Sequence, residues 1–159
     1  MKILIAAVMA VALVGCATPY QSSGFRGGYK EIRLGDNVFQ VSFQGNAYIG
    51  AQKVKDFTLL RSAELAQENG FDYFAIVDSA SYQKTGVIST PARTYSSASV
   101  VGNSAYGSST TYGGTVSTYA KPSSSNTIVC FKERPEGFSY SATEVIRSLR
   151  AAYRMHSDP

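Results

Sequence analysis

Residues 79–126 of this 159-residue chain are built from Ser, Thr, Gly and Tyr, with almost no bulky aliphatic side chains. Such a stretch cannot supply a hydrophobic core, so the fold must draw on the segments before and after it. A connection of that length is either functional or disordered. Within it an imperfect repeat recurs: Thr94-Tyr95-Ser96-Ser97, Thr111-Tyr112-Gly113-Gly114 and Thr118-Tyr119-Ala120. Thr and Tyr favour strands, and the Gly/Asn/Ser-rich residues 102–109 favour turns, a pattern that fits a long β-hairpin arm. The other reading is a partly formed, mobile arm, because so few aliphatics cannot offset about 1–2 kcal/mol of backbone ordering per residue. In either case Tyr95, Tyr106, Tyr112 and Tyr119 are candidate partner-contact residues, since tyrosine offers amphipathic contact area at low entropic cost.

The core must then come from residues 29–78 and 127–156. Tyr29-Lys30-Glu31-Ile32-Arg33-Leu34, the turn Gly35-Asp36-Asn37, and Val38-Phe39-Gln40-Val41-Ser42-Phe43-Gln44 read as a β-hairpin whose second strand alternates apolar and polar positions. Residues 54–69 carry Phe57, Leu60, Ala63 and Leu59, Ala66 at helical spacings, closed by Gly70. Phe71-Asp72-Tyr73-Phe74-Ala75-Ile76-Val77-Asp78 is continuously apolar at its centre, as expected of a strand reached by a helical crossover and buried on both faces. Residues 127–132 supply a further strand. A last helix opens on the capping box Ser141-Ala142-Thr143-Glu144, with Tyr140 and Val145 as its staple and Val145, Leu149 and Ala152 as its buried stripe. The expected fold is α+β: a mixed three- or four-stranded sheet, both helices on one face, and an arm inserted at 79–126 of a single domain spanning 29–156.

The N-terminus reads differently. Lys2, an apolar run to Val14, and Leu13-Val14-Gly15-Cys16 form a signal segment, and the run falls short of the roughly 20 apolar residues that a span requires. Over residues 1–16 the chain resembles bacterial lipoproteins. That resemblance implies cleavage after residue 15, a diacylglycerol thioether on Cys16, acylation of the new amino terminus, and durable anchoring in a bilayer. Ala17, where an inner-membrane retention signal would place Asp, implies the outer membrane facing the periplasm. Residues 16–28, rich in Gly and Ser, read as a flexible lipidated tether that could reach up to roughly 40 Å when extended.

With Cys16 acylated, Cys130 is the only thiol left and no internal disulfide can form; its setting, Thr127-Ile128-Val129-Cys130-Phe131, marks it as a small buried hydrophobe rather than a nucleophile. His156 is the sole histidine and stands in a terminal tail, which argues against a triad or a histidine metal site. Ser81-Tyr82-Gln83-Lys84 and Lys84-Thr85-Gly86 match short motifs of penicillin-recognising enzymes, but they overlap where those motifs stand far apart, so they are read as coincidence. No cofactor, metal site or phosphate loop is expected. The net charge of +4 is scattered, and an exported chain makes nucleic acid a poor partner.

Phe39-Gln40-Val41-Ser42-Phe43-Gln44-Gly45-Asn46-Ala47-Tyr48, Val54-Lys55-Asp56-Phe57-Thr58-Leu59-Leu60-Arg61-Ser62-Ala63-Glu64-Leu65 and Gly70-Phe71-Asp72-Tyr73-Phe74 together resemble a family of uncharacterised proteobacterial lipoproteins. The likeness covers about half of the chain after the signal; it implies an anchored α/β domain and no particular activity. The expected function is a non-enzymatic envelope interaction or structural module, held to the bilayer through Cys16 and meeting an envelope protein or glycan. The alternatives are a periplasmic hydrolase or transferase using Asp72, Asp78 or Glu64, and a self-assembling envelope subunit with arms pairing edge to edge.

Overall fold

The computed structural model describes residues 17–155; the expected signal segment 1–15, the lipidation candidate Cys16, and His156 lie outside them. In chain order the described elements are β1 (Gly28–Arg33), β2 (Val38–Gln44), α1 (Ala51–Glu68), β3 (Tyr73–Ser89), β4 (Arg93–Val101), β5 (Ser104–Tyr112), β6 (Val116–Phe131), β7 (Tyr140–Ser141) and α2 (Ala142–Ala152). Five strands form one sheet in the order β1-β2-β6-β3-β7, and β4 and β5 form a second. No described helix is long and apolar enough to cross a membrane. The chain divides into two compact units, one reaching Lys84 and resuming at Lys121, the other Thr85–Ala120.

In the first unit the β1–β2 hairpin forms as its alternation requires, with Tyr29 opposite Phe43 and Arg33 opposite Phe39. Phe39, Val41 and Phe43 are buried on one face, and β6 continues that face with Ile128 opposite Phe39 and Asn126 opposite Val41. Beyond β6, Asp72 N–H donates to Phe131 O and Ser81 Oγ meets Ser124 Oγ, a descending order that makes β3 antiparallel to β6. The expected mixed sheet of three or four strands is therefore corrected to five antiparallel ones. β2 and β3 do run the same way across the α1 crossover, but β6, arriving much later in sequence, takes the place between them.

Both helices lie on the Phe39 face, where Ala63, Leu65 and Ala66 of α1 and Ala142 of α2 pack with Val41, Phe74, Ile128 and Cys130. α1 ends as Gly70 predicts, with Gly70 N–H on Gln67 O and Phe71 N–H on Ala66 O, the paired bonds of a Schellman motif. β3 is not buried on both faces: Phe74 is fully buried but Val77 is 61% exposed, because none of the described helices covers the second face of the sheet. α2 starts after Ser141, yet the capping-box bonds do not form. Ser141 is held extended in β7, Ala142 N–H donates to Asp72 O, and Glu144 turns to Arg147. The stripe on α2 is half-buried Val145, Ile146 and Leu149, and Ala152 is exposed.

Residues 17–27, part of the expected flexible tether 16–28, are fastened to the body at Thr18, Tyr20 and Gly27, while residues 22–26 form an exposed turn. Thr18 is 1% exposed and Tyr20 joins Phe43, Phe57 and Tyr29 in an aromatic cluster. Gly27 there serves close approach rather than freedom. Gly27 has φ +92°, and a Cβ on it would stand 2.2 Å from Gln44 O, so the chain passes β2 at a separation that only glycine allows. Gly27→Ala is expected to cost about 2 kcal/mol through the left-handed backbone alone, and to release residues 18–26 to rapid amide exchange. Urea titration and hydrogen exchange of a soluble form starting at Ala17 check both.

The second unit has no buried residue. At its base Tyr119 lies over Gly86, where a Cβ would meet the ring at 2.3 Å. Thr90 and Thr115 then exchange backbone and hydroxyl hydrogen bonds. β4 and β5 pair in register from Arg93↔Tyr112 to Val101↔Ser104, leaving the two-residue turn Gly102-Asn103. Cross-strand Thr94–Thr111 and Ser97–Ser108 hydroxyl contacts of 2.9 and 3.0 Å replace the missing apolar core. The arm is thus a hydrogen-bonded ladder.

Candidate functional site

The first unit contains a cleft of about 570 Å³ lined by Tyr20, Tyr29, Arg61, Glu64, Gln67, Glu68, Ile146 and Arg150. Arg61 and Glu64 lie one turn apart on α1, each 8% exposed. The Arg61 guanidinium is engaged at every nitrogen: Nε and Nη2 reach Glu31 at 2.8 and 3.1 Å, Nη1 and Nη2 reach Glu68 at 2.7 and 2.8 Å, and Nη1 also meets Glu64 at 3.4 Å. Its plane covers the Tyr29 ring at 4.7 Å. Glu64 is equally saturated, with Oε1 accepting from Arg150 at 2.8 Å and Oε2 from the Tyr20 hydroxyl.

Burial alone would disfavour a charged Arg61, but the hydrogen bonds it donates to Glu31 and Glu68 outweigh it and hold the guanidinium more firmly protonated than usual. Burial, joined by the hydrogen bond to Glu64, keeps the Tyr20 hydroxyl protonated well above the ordinary phenol range. The unfolded chain ionises Tyr20 near pH 10 and the folded one does not, so this contribution is complete below about pH 10 and is lost as pH rises further. Tyr20→Phe is expected to cost about 2 kcal/mol at pH 8. Its deficit against the parent should narrow by about 1.4 kcal/mol per pH unit above 10. Urea midpoints at pH 8, 10 and 11 test this; a constant deficit refutes the linkage.

With every oxygen of Glu64 and every nitrogen of Arg61 committed, the cluster acts as a clasp joining four segments. Asp72 and Asp78, weighed beside Glu64 for hydrolytic chemistry, are exposed and do not line this cleft. Among the described residues no group of three or more His, Cys, Asp or Glu side chains could hold a metal ion. Cys130 is 1% exposed and burial pushes its thiol up to about 11, which suits packing and not nucleophilic attack. Ser81, Lys84, Thr85 and Gly86 all stand on a strand, so the penicillin-enzyme likeness has no helix to sit on.

The arm carries the second arrangement. The register puts Arg93, Tyr95, Ser97 and Ser99 of β4 on the same face as Tyr112, Thr110, Ser108 and Tyr106 of β5. Tyr95, Tyr106 and Tyr112 are 63–65% exposed, and the Tyr95 and Tyr112 rings meet edge to face at 6.2 Å. Three of the four candidate tyrosines therefore share one surface. The fourth, Tyr119, lies outside this hairpin, on β6, half-buried against Gly86. Sequence reasoning missed the clasp. The spacing Arg61, Glu64, Glu68 marks one face of α1, but its partners Tyr20, Glu31 and Arg150 come from distant segments with no local signal.

Comparison with known protein families, with curated proteins and with solved structures finds no match for this chain.

Proposed function

We propose that this chain is a bacterial lipoprotein, acylated on Cys16 and seated on the periplasmic side of the outer membrane, that binds an envelope glycan through the tyrosine face of its arm. The observation that carries this reading is the one-sided display of Tyr95, Tyr106 and Tyr112 beside Arg93. Exposed tyrosines on a rigid ladder offer ring faces to sugar C–H groups, and the interleaved Ser and Thr hydroxyls offer donors and acceptors. A face whose one aliphatic side chain is Val101, exposed at its turn end, suits a polyhydroxylated ligand better than an apolar protein surface. The role is one of binding and not of catalysis.

Co-sedimentation of the full chain with insoluble cell-wall glycan tests it. The triple variant Tyr95→Ala, Tyr106→Ala, Tyr112→Ala is expected to bind on the order of 100-fold more weakly, at about 1 kcal/mol per ring. Equal binding by parent and variant overturns the glycan reading. A second reading, self-assembly, is favoured by one observation: β4 and β5 form a sheet of two strands, so each has an unpaired edge. Concentration-dependent sedimentation that vanishes in Ala98→Pro, where the N–H points to the free edge of β4, would support that reading instead.

A further inference from the structure

Thr18 is a node where three segments meet. Its hydroxyl donates to Arg26 O at 2.8 Å and accepts from Asn46 N–H at 2.8 Å, and Asn46 Oδ1 accepts from Tyr48 N–H at 3.0 Å. Gly24 and Gly27 bond each other's backbones in both directions, which closes a tight turn with Phe25 and Arg26 at its tip. Phe25 is 107% exposed, the most exposed large apolar side chain among the described residues, and Tyr48 is 73% exposed. Cys16 precedes Thr18 by two positions, so the two Cα atoms stand within about 7 Å of each other by any backbone path.

From this juxtaposition we infer that Phe25, Arg26 and Tyr48 form a membrane-seating surface. When Cys16 carries its acyl chains, this corner of the first unit rests in the headgroup layer of the same leaflet, with both aromatic rings at the interface and the Arg26 guanidinium against lipid phosphate. The inference rests on acylation of Cys16. A single exposed apolar side chain on a protein surface needs no explanation. Here two aromatics and a cation arrive from two segments whose backbones meet at the Thr18 hydroxyl, two positions along the chain from the residue that would enter the bilayer. Aromatic rings favour the membrane interface, and basic side chains favour its anionic lipids. Because Thr18, Tyr20 and Gly27 fasten this segment to the body rather than leaving it as a free tether, the anchor cannot hold this corner away from the bilayer. The occupant is the lipid surface itself, and seating fixes the orientation of the first unit over it.

The chain contains no tryptophan, so Phe25→Trp and Tyr48→Trp each install a single fluorophore. Full-length protein extracted from bacterial membranes is reconstituted into phosphatidylethanolamine and phosphatidylglycerol vesicles with or without brominated acyl chains. Leu34→Trp, at the far end of the β1–β2 hairpin and 57% exposed, serves as the control. F25W and Y48W should emit to the blue of L34W and lose most of their intensity to the brominated lipid, while L34W keeps its own. The mass of the N-terminal peptide reports acylation separately. Acylated protein in which F25W and Y48W behave like L34W overturns the seating and leaves the lipoprotein reading intact. An unmodified Cys16 overturns the lipoprotein reading, and the seating falls with it.

Discussion

Arg61→Leu is expected to lower the stability of the soluble form by about 3 kcal/mol and its Tm by roughly 10 °C. The substitution preserves much of the aliphatic packing of the stem but leaves Glu31, Glu64 and Glu68 facing one another with only Arg150 in opposition. Glu64 bears most of the penalty, since its side chain is 9% exposed, whereas Glu31 and Glu68, at 37% and 53%, can turn to water. Arg61→Lys separates charge from geometry. A lysine restores the positive charge but cannot hold two carboxylates through a planar fork, so it should recover about half of the loss. Urea titration measures both variants; an Arg61→Leu protein within about 0.5 kcal/mol of the parent would make the cluster an ordinary surface network.

The clasp matters because of what it joins. Tyr20 comes from the segment before β1, Glu31 from β1, Arg61 and Glu64 from α1, and Arg150 from α2. Buried ion pairs contribute little net stability against well-packed apolar replacements, but they penalise every arrangement in which one partner is misplaced. Residues 17–27 join this cluster through the Tyr20 hydroxyl, and their detachment leaves the buried Glu64 carboxylate one donor short. The proposed seating on the bilayer depends on that attachment.

Much of the first unit was legible where residues of one period are contiguous. The alternation of Phe39, Val41 and Phe43, the stripe of α1 with its Gly70 terminus, and the buried setting of Cys130 each report a local environment. Three features were not legible. The insertion of β6 between β2 and β3 depends on strand partners distant in sequence, for which no local pattern exists. The packing of residues 17–27 was hidden because glycine marks both flexible linkers and close backbone approach, and only the contact of Gly27 with Gln44 separates the two. The capping box at Ser141 failed because β7 and the Asp72 carbonyl compete for the same backbone, a tertiary contact overriding a local one. In the arm, the repeat of Thr and Tyr fits a hairpin but its few aliphatics fit a mobile arm as well, and only the register shows that Tyr95, Tyr106 and Tyr112 share a face while Tyr119 does not.

Phe57→Ala should be the most damaging single substitution in the first unit, at about 3–5 kcal/mol. Phe57 is 3% exposed, and its ring meets Tyr20, Phe43 and Tyr153 edge to face, each at 5.3 Å between centroids. Those three rings belong to the N-terminal segment, β2, and the residue that ends α2, so one side chain on α1 fastens both ends of the described chain to the sheet. Lys53 caps the cluster, its ammonium 5.2 Å from the Phe57 centroid and 5.3 Å from that of Tyr153. Truncation removes the hub and leaves a cavity that Phe43, held in the β2 ladder, cannot move to fill. Phe57→Leu keeps much of the volume and should cost about 1–2 kcal/mol. The two variants also differ in where they loosen the molecule. In Phe57→Ala, amide exchange should accelerate first in residues 18–26 and at the end of α2, ahead of global unfolding, because both are secured through that ring. A Phe57→Ala protein that loses stability uniformly, with residues 18–26 still protected, would show that the clasp at Arg61 and Glu64 holds the N-terminal segment without help from the aromatic cluster.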